Sequence, residues 1–394
     1  MRRRCDVLVV GGGLLGCTTA FTLAKEGADV VLLERDQINQ HASGQNAGSL
    51  HFLLEYRMVE DGLDAARKAA EAMPLHLDAS ARWDALAAEV GPGLGLARDG
   101  GLMLADDAAT AQLLEAKSEI ERGHGLDVRV LDGDEAREIA PYLSDDVVAA
   151  AFCPTEGKAN ARTAAPAVAR AASAAGAAIR SRTAVTGLRR DGADWVASVR
   201  SQEQPSGTTE EIRASAVVLA AGVWTRELGL MVGVDLPVTV LGLMMSVTER
   251  TGQFMPHLVQ HAGTRLSLKQ TTEGNVLVGG GWPARLVRDE FGAPRGDARP
   301  QLVPESLEGN ARAAIDAVPR LATLRTVRTW VGATTVGPEQ LPLVGPVPGA
   351  PGVFVATGGS AFTLGPSFAR ALADLTQGLR PAVDLSPYKP ARWL

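Results

Sequence analysis

Cysteine is scarce in this sequence, and its scarcity excludes the structural roles that cysteine most often has. The 394 residues include three cysteines, Cys5, Cys17 and Cys153. Because the number is odd and the spacing wide, neither a disulfide framework nor a thiolate metal site is expected. The sequence therefore predicts a protein of a reducing compartment that binds no metal.

Long apolar runs and basic clusters are also missing. No run of about 18 apolar residues occurs, which is roughly the length that a membrane-spanning helix needs. The net charge is −6, and no basic cluster exists beyond Arg2-Arg3-Arg4, which argues against nucleic acid as a partner. The apolar run from Val7 to Val10 leads into glycines, as a buried strand does and a signal peptide does not. We expect no membrane span and a cytoplasmic location.

Aromatic residues make up only 4% of the chain, whereas glycine is abundant, with 43 residues. Glycine-rich turns allow the backbone to approach a bound phosphate closely. A chain of this length is too long for one simple core and suggests about two domains.

A dinucleotide fingerprint opens the chain. The apolar strand Asp6 to Val10 is followed by Gly11, Gly13 and Gly16 in the spacing G-x-G-x-x-G, and a helix pattern begins there. A second apolar strand ends at Glu34, which is placed to accept hydrogen bonds from a ribose. The free N–H groups of the helix N-terminus favour a pyrophosphate. The alternative is a glycine-rich turn with no ligand. It is disfavoured because the strand, the helix and the acidic residue all stand at the spacing that the fingerprint requires.

Strand and helix patterns alternate along the rest of the chain, which predicts an α/β protein, α+β overall. Alanine-rich helices are predicted at Glu60 to Ala88, Ala105 to Arg122 and Arg162 to Gly176. A hairpin is predicted at Thr183 to Arg200. The remaining predictions are strands at Ala214 to Ala220, Gly242 to Thr248, Asn275 to Gly281 and Val353 to Ala356, and helices at Glu305 to Val318 and Pro366 to Gln377.

The fingerprint alone does not distinguish FAD from NAD. Small-residue turns follow two of the buried strands, Ala221-Gly222 after the first and Gly358-Gly359 after the second. A long cofactor could lie along these turns, and the helix after Gly365 would direct its N-terminus towards a reduced, negatively charged flavin. The alternative is that both turns serve packing.

Several motifs resemble the D-amino-acid oxidase family of flavoenzymes, which includes glycine oxidase and sarcosine oxidase. They are GGGLLG…LLERD, HASGQNAGSLH, VVLAAGVWT, RTWVGATTVGPEQLPLVG and VATGGSAFTLGPSFARALADL. NAGSLH, GGGWP and AFTLGP are most similar to the branch of opine oxidase subunits and D-hydroxyproline dehydrogenases. The resemblance spans nearly the whole chain, with specific motifs at both ends and none in the middle.

The resemblance implies a Rossmann-like FAD-binding domain and a second, mixed-sheet substrate domain. The FAD-binding domain would combine residues 1–82, 148–230 and 326–394, and the substrate domain residues 83–147 and 231–325. The substrate pocket would lie between them, over the flavin.

The resemblance also implies which residues bind the cofactor. These are Gly11, Gly13, Leu14, Leu15, Gly16, Glu34, Arg35, Ala42, Ser43, Gly44, Gln45, Asn46, Ala47, Gly48, Ser49, Val185, Ala221, Gly222, Gly332, Gly358, Gly359, Ala361, Phe362, Thr363 and Leu364. Family members with covalent flavin attach it to a histidine near the position of Gln45 or to a late cysteine. Since no cysteine follows Cys153, we expect non-covalent FAD.

The substrate pocket departs from the family pattern. Glycine oxidase-like members hold the substrate carboxylate with an arginine of an Arg-Pro pair, and Thr334 and Thr335 stand there in this chain. Arg325 and Arg328 are near in sequence. His51 directly follows the flavin loop and is predicted either to act on the substrate amine or to pack behind the loop.

Other residues are weaker candidates. His257 and His261 are interpreted as surface positions, Met244 and Met245 as core, and Trp330 as packing behind the flavin.

The predicted function is FAD-dependent oxidation of a C–N bond in an amino acid or secondary amine, with hydride transfer to the flavin and hydrolysis of the imine. Oxygen or another acceptor would take the electrons. One alternative is a flavin subunit of a heteromeric opine or amino-acid dehydrogenase, which needs partner subunits. Others are a biosynthetic enzyme with an atypical substrate, a flavin hydroxylase and a non-catalytic flavin-binding protein.

Overall fold

The computed structural model describes residues 3–202, 209–296 and 298–394. Arg2, part of the predicted N-terminal basic cluster, lies outside these residues. The described strands are Arg3–Val10 (β1), Val30–Leu33 (β2), Ser49–Leu50 (β3), Gly101–Ala105 (β4), Arg129–Asp132 (β5), Ala149–Cys153 (β6), Gly157–Lys158 (β7), Ala178–Arg180 (β8), Thr183–Asp191 (β9), Asp194–Ser201 (β10), Glu210–Leu219 (β11), Thr239–Arg250 (β12), Leu258–His261 (β13), Ser267–Gln270 (β14), Asn275–Gly279 (β15), Thr326–Val336 (β16), Leu343–Pro346 (β17) and Val353–Thr357 (β18). The described α-helices are Leu14–Lys25 (α1), Ala42–Gln45 (α2), Tyr56–Val59 (α3), Leu63–Ala69 (α4), Met73–Val90 (α5), Ala108–Gly123 (α6), Gly133–Ile139 (α7), Ala164–Ala174 (α8), Thr225–Met231 (α9), Pro304–Ala317 (α10) and Gly365–Thr376 (α11).

The first sheet has the strand order β17-β18-β11-β1-β2-β8, and the β9-β10 hairpin pairs with β11. Strands β18, β11, β1, β2 and β8 are parallel. Their apolar side chains are buried on both faces, which explains the continuous apolar runs in the sequence. Helix α1 packs against α8 and α11 on one face, and the hairpin covers part of the other. This is the predicted Rossmann-like layer arrangement.

The second sheet is mixed, with the order β16-β12-β15-β14-β13-β4-β6-β5. Strands β13 and β4 run parallel, and the other neighbours are antiparallel. Its own apolar core includes residues from α7 and α10. The structure thus has the predicted fold class, a Rossmann-like layer with a second mixed sheet.

Two of the three alanine-rich helix predictions differ from the structure. The predicted helix from Glu60 to Ala88 is interrupted, because Gly62 has a φ of +94° and a new helix begins after it. The helix predicted from Ala105 begins at Ala108, where the Asp107 side chain accepts a hydrogen bond from Thr110 N at 2.7 Å. The residues just before it form the buried strand β4, which pattern analysis of this alanine-rich region did not predict.

The predicted division into two domains remains a prediction, but the pairing of two strands does not follow it. Strands β6 and β16 fall in segments that we predicted for the FAD-binding domain, yet both hydrogen-bond within the second sheet. The sequence pattern of an apolar strand is compatible with either sheet. Only its hydrogen-bonded pairing in the folded chain determines which sheet it joins.

Candidate functional site

A cavity of about 1130 Å³ lies between the two sheets. From the first sheet it is lined by the ends of β1, β2 and β18 and the turns that follow them. From the second sheet it is lined by residues of β12, β14, β15 and β16. The volume exceeds the range of roughly 300–1,000 Å³ that is usual for small-ligand pockets, so a large cofactor and a substrate can both be accommodated.

The glycine fingerprint forms one end of this cavity. Gly11 has a φ of +118°, and a Cβ added there would lie 2.3 Å from the carbonyl oxygen of Ala220. A Cβ at Gly16 would lie 1.9 Å from the carbonyl oxygen of Gly11, so α1 can approach β1 only with glycine there. A Cβ at Gly13 would meet Ser43 Oγ at 2.8 Å. The spacing of the glycines thus has a steric cause in the close approach of the backbone at these positions.

Glu34 lies at the end of β2 and lines the same cavity. It is buried, and its carboxylate accepts hydrogen bonds from Gly12 N at 2.6 Å and from Asp36 N at 2.8 Å. Each carboxylate oxygen has a second lone pair to offer to a ligand hydroxyl. Glu34 therefore both shapes the fingerprint turn and presents acceptor capacity inside the cavity.

The segment from Ala42 to Ser49 runs along the cavity, but two of its members turn away. Ser43 Oγ accepts a hydrogen bond from Leu14 N at 3.0 Å and so joins the segment to the first turn of α1. Gly44 packs against the carbonyl oxygen of Asn39, where a Cβ would be 2.0 Å away. Gln45 donates to the carbonyl oxygen of Gln40, and its own carbonyl oxygen accepts from Trp330 Nε1 at 2.8 Å.

Most of the predicted cofactor residues share the cavity. Those that line it are Gly11, Gly13, Leu15, Glu34, Arg35, Ala42, Ser43, Asn46, Ala47, Gly48, Ser49, Val185, Ala221, Gly222, Ala361, Phe362 and Thr363. Those packed around it instead are Leu14, Gly16, Gly44, Gln45, Gly332, Gly358, Gly359 and Leu364. Gly358 and Gly359 have φ values of +79° and +31°, so glycine is needed there for the backbone conformation of the turn.

The residues at this end fit the predicted FAD. The first turn of α1 offers backbone N–H groups and the positive end of the helix dipole to a pyrophosphate. Beside Glu34, the Arg35 guanidinium lies 4.6 Å from the Trp224 ring, and the His41 ring contacts the same indole at 4.7 Å. All three line the cavity and offer aromatic and cationic contacts suited to a nucleotide base. Trp224 was not among the predicted site residues, although it lies in the quoted motif VVLAAGVWT.

One group of potential metal ligands occurs among the described residues. Oxygen or nitrogen atoms of Glu34, Asp36 and His41 lie within 4.8 Å of one another. Both Glu34 oxygens already accept backbone N–H groups, and His41 Nε2 lies 2.8 Å from the Asp36 carboxylate. These hydrogen bonds explain why the three side chains lie close together, so the cluster needs no metal ion to account for it.

His51 and Thr334 line the same cavity. His51 is buried, and its Nε2 lies 3.0 Å from Ser267 Oγ. Thr335 also lines the cavity, and its hydroxyl oxygen lies 3.1 Å from that of Thr357. The two threonines offer hydroxyl groups but no positive charge, so a carboxylate would need another partner.

Arginines that the sequence did not single out line the cavity. Arg57 Nη2 donates to Glu55 Oε1 at 3.1 Å and to Ser360 Oγ at 3.0 Å, and Arg57 Nη1 donates to Gln340. Burial raises the pKa of Glu55, but Arg57, His51 and the Ser360 hydroxyl outweigh it and lower this pKa to about 2. Glu55 is therefore a carboxylate, and it neutralises Arg57.

Arg265 is the less constrained of these two arginines. Its Nη2 donates to Glu60 at 2.9 Å, and its guanidinium lies 5.5 Å from the Tyr56 ring. Among the described residues, Glu60 is the only acid that it contacts. No signal in the sequence marked Arg265, because it lies on a turn in the middle of the chain, where the family resemblance is unspecific.

Most of the weaker candidates from the sequence do not line the cavity. Met244 is buried in a small core as predicted, whereas Met245 lines the cavity. His257 and His261 are buried rather than at the surface, and neither lines the cavity. Trp330 holds the segment from Ala42 to Ser49 by donating a hydrogen bond to the backbone carbonyl oxygen of Gln45. Arg325 and Arg328 are exposed and do not line the cavity.

Lys269 is a buried residue that sequence analysis missed. Its Nζ donates to the carbonyl oxygen of Ala159 at 2.7 Å and lies 2.8 Å from the position of a Cβ added at Gly48. Burial lowers the pKa of Lys269 to about 7. The lysine thus packs directly behind the loop that lines the cavity.

Comparison with known proteins identifies relatives along the whole chain. The family model DAO, described as FAD dependent oxidoreductase, matches residues 6–375. A glycine oxidase of Pseudomonas aeruginosa is 30% identical over 392 residues, covering 98% of each chain. Human mitochondrial sarcosine dehydrogenase is 28% identical over 400 residues, which cover 98% of this chain and 41% of that protein.

Solved structures agree with the sequence comparison. The crystal structure of glycine oxidase from Geobacillus kaustophilus superimposes with a TM-score of 0.85 at 27% identity, and the match covers 100% of both chains. In the described part of the chain, no helix combines the length and hydrophobicity needed to cross a bilayer.

Proposed function

Because the chain belongs to the DAO family of FAD-dependent oxidoreductases, we propose that it oxidises the C–N bond of an amino acid or secondary amine. The product would be an imine that hydrolyses in water. FAD, when bound, supplies the hydride acceptor for this reaction. The proposal agrees with the relatives named glycine oxidase and sarcosine dehydrogenase, whose names refer to small amino acids.

One observation carries the proposal. The same cavity that contains the glycine fingerprint and Glu34 extends to His51, Arg57 and Arg265. A dinucleotide site therefore opens directly onto a chamber with the polar groups that a zwitterionic amino acid requires. The apolar residues Leu241, Leu243 and Met245 line the same cavity and would exclude water from the reacting carbon.

The decisive experiment is anaerobic reduction of the flavin. The purified chain, loaded with FAD, is mixed with secondary amines, D-amino acids and opines while its visible spectrum is recorded. Bleaching by one of these compounds and not by its deaminated analogue is the expected result. A protein that binds FAD but is bleached by none of them would contradict the proposed reaction class.

We expect Arg265 to bind the substrate carboxylate. Hydrogen bonds to charged groups contribute about 1.5–3 kcal/mol, so Arg265→Gln should raise KM for carboxylate-bearing amines about 10- to 100-fold. An amine that lacks a carboxylate should be affected little, since it never used the guanidinium. Steady-state kinetics with one substrate of each kind measures the difference.

Arg325→Gln is the matched control, because Arg325 is exposed and does not line the cavity. It should leave KM unchanged for both substrates. If Arg265→Gln raised KM equally for both substrates, the arginine would support the pocket walls and would not bind the carboxylate.

The finer features of the function belong to the same proposal. We propose non-covalent FAD, a cytoplasmic location, and oxygen or another acceptor for the electrons. Turnover of the isolated chain with oxygen tests whether partner subunits are needed. Release of the flavin on denaturation tests its attachment.

A further inference from the structure

Buried carboxylates hold the segment that carries His51. Glu156 Oε1 accepts hydrogen bonds from Phe52 N at 2.9 Å and from Leu53 N at 3.0 Å. Glu121 Oε1 accepts from the next amide, Leu54 N, at 2.6 Å. Three consecutive amides thus bind two carboxylates instead of a neighbouring strand. Burying two acids for this purpose is costly, which suggests a role beyond anchoring.

The second oxygen of Glu156 faces His51. Glu156 Oε2 lies 3.6 Å from His51 Nδ1, and both atoms are buried without a hydrogen-bond partner among the described residues. At this separation the two groups form an ion pair when the imidazole is protonated, and a small movement would convert the contact into a hydrogen bond. The other ring nitrogen, Nε2, lies beside Ser267 Oγ, and both His51 and Ser267 line the cavity.

The charges around His51 favour a proton on the imidazole. Burial lowers the pKa of His51, but the Glu156 carboxylate, with a smaller contribution from Glu55, outweighs burial and raises it above the ordinary value. Arg57 acts in the opposite direction. Burial lowers the pKa of the neighbouring His76 to about 4, so that ring is neutral.

Two further polar groups come from the strands packed against His51. Lys269, two residues after Ser267, directs its Nζ to the Ala159 carbonyl oxygen. Gln260 lies 3.4 Å from Glu156 Oε1 and carries no charge.

We propose that His51 and Glu156 form a proton-accepting pair for the amine substrate, in which Glu156 is the positioning residue. The inference rests on the proposed function. Amino acids and secondary amines are largely ammonium ions at neutral pH, and an ammonium has no lone pair to release when its C–H bond is broken. An N–H bond of the ammonium breaks, and a new N–H bond forms at Nε2 of neutral His51. The amine keeps the electron pair, and the imidazolium is paired with the Glu156 carboxylate.

His51→Asn tests the proton-accepting role by its pH dependence. At pH 7 the variant should show a loss of about 100-fold in kcat/KM for anaerobic flavin reduction, the lower end of the range for general bases. The loss should shrink towards pH 10, where the amine is neutral in solution and needs no base. A loss of the same size at every pH would overturn the role, because a purely structural histidine predicts that result.

Glu156→Gln tests the positioning role without relying on turnover. The six histidines are labelled at Cε1 and titrated by NMR, and His51→Asn identifies the resonance of His51. Removing the facing charge should lower the pKa of His51 by about one unit, a tenfold change in proton affinity. In the wild type the same resonance should titrate above 6.5.

Glu121→Gln is the matched control, because Glu121 anchors the same segment but bonds Leu54 N and not His51. It should leave the His51 titration unchanged. A wild-type pKa below 6.5, or an equal shift in both glutamine variants, would overturn the pair. If no amine reduces the flavin, the proposed function fails, and the titrations still decide whether Glu156 controls His51.

Discussion

The Gly16→Ala variant is expected to retain much less FAD than the wild type. The added methyl group would lie 1.9 Å from the carbonyl oxygen of Gly11. The backbone fixes the positions of both atoms, so neither can move aside by rotation of a side chain. Overpacking of this kind costs about 1–3 kcal/mol and sometimes more. Relief of the clash would separate α1 from β1 and displace the amides that we predict to bind the pyrophosphate. Since 1.4 kcal/mol is a factor of ten, FAD binding should weaken by about 5- to 140-fold.

The measurement is the ratio of flavin to protein absorbance after gel filtration of Gly16→Ala and the wild type. Gly123→Ala is the matched control, because it ends α6 and a Cβ there would meet nothing within 4 Å. It should retain FAD and lose no stability. Full retention of FAD by Gly16→Ala would show that the fingerprint turn is not the pyrophosphate site.

The Lys117→Met variant is expected to lose about 3–5 kcal/mol of unfolding free energy at pH 8, the usual cost of leaving one member of a buried ion pair unpaired. Lys117 Nζ lies 2.6 Å from Glu121 Oε1, and both side chains are fully buried. The same oxygen holds Leu54 N, so the variant would also loosen the segment that carries His51.

The pH dependence follows from Glu121. Burial, opposed by Lys117, raises the pKa of Glu121 above its usual value. A raised folded-state pKa gives stability that is present at acid pH and is lost as the pH rises through that pKa. Without Lys117 this pKa rises further, so the variant should be nearly as stable as the wild type around pH 5 and much less stable at pH 8.

Urea unfolding of FAD-free protein at both pH values measures the effect. Lys25→Met is the matched control, because Lys25 lies at the same 2.6 Å from Glu89 in an exposed pair. Exposed pairs contribute about 0–1 kcal/mol, so little change is expected at either pH. Equal destabilisation of Lys117→Met at pH 5 and pH 8 would contradict an unpaired carboxylate as the cause.

The nucleotide end of the site was predicted by the sequence alone. Gly11, Gly16 and Glu34 act within one βαβ unit, where spacing determines geometry directly. The family, the cofactor and the fold class followed from these local motifs and from those at the end of the chain, and the comparisons confirmed them.

The substrate end was decided by tertiary structure. Arg265 and Glu156 reach the site from the second sheet and its connections, more than 100 residues from His51 in sequence, and their neighbours carry no distinctive motif. The same limit explains why the segments predicted for the FAD-binding domain include β6 and β16, which pair within the second sheet, since an apolar strand pattern does not specify its partner. Local spacing determines a turn because few backbone conformations satisfy it. A pocket assembled from distant strands depends on pairing and packing, which no single segment encodes.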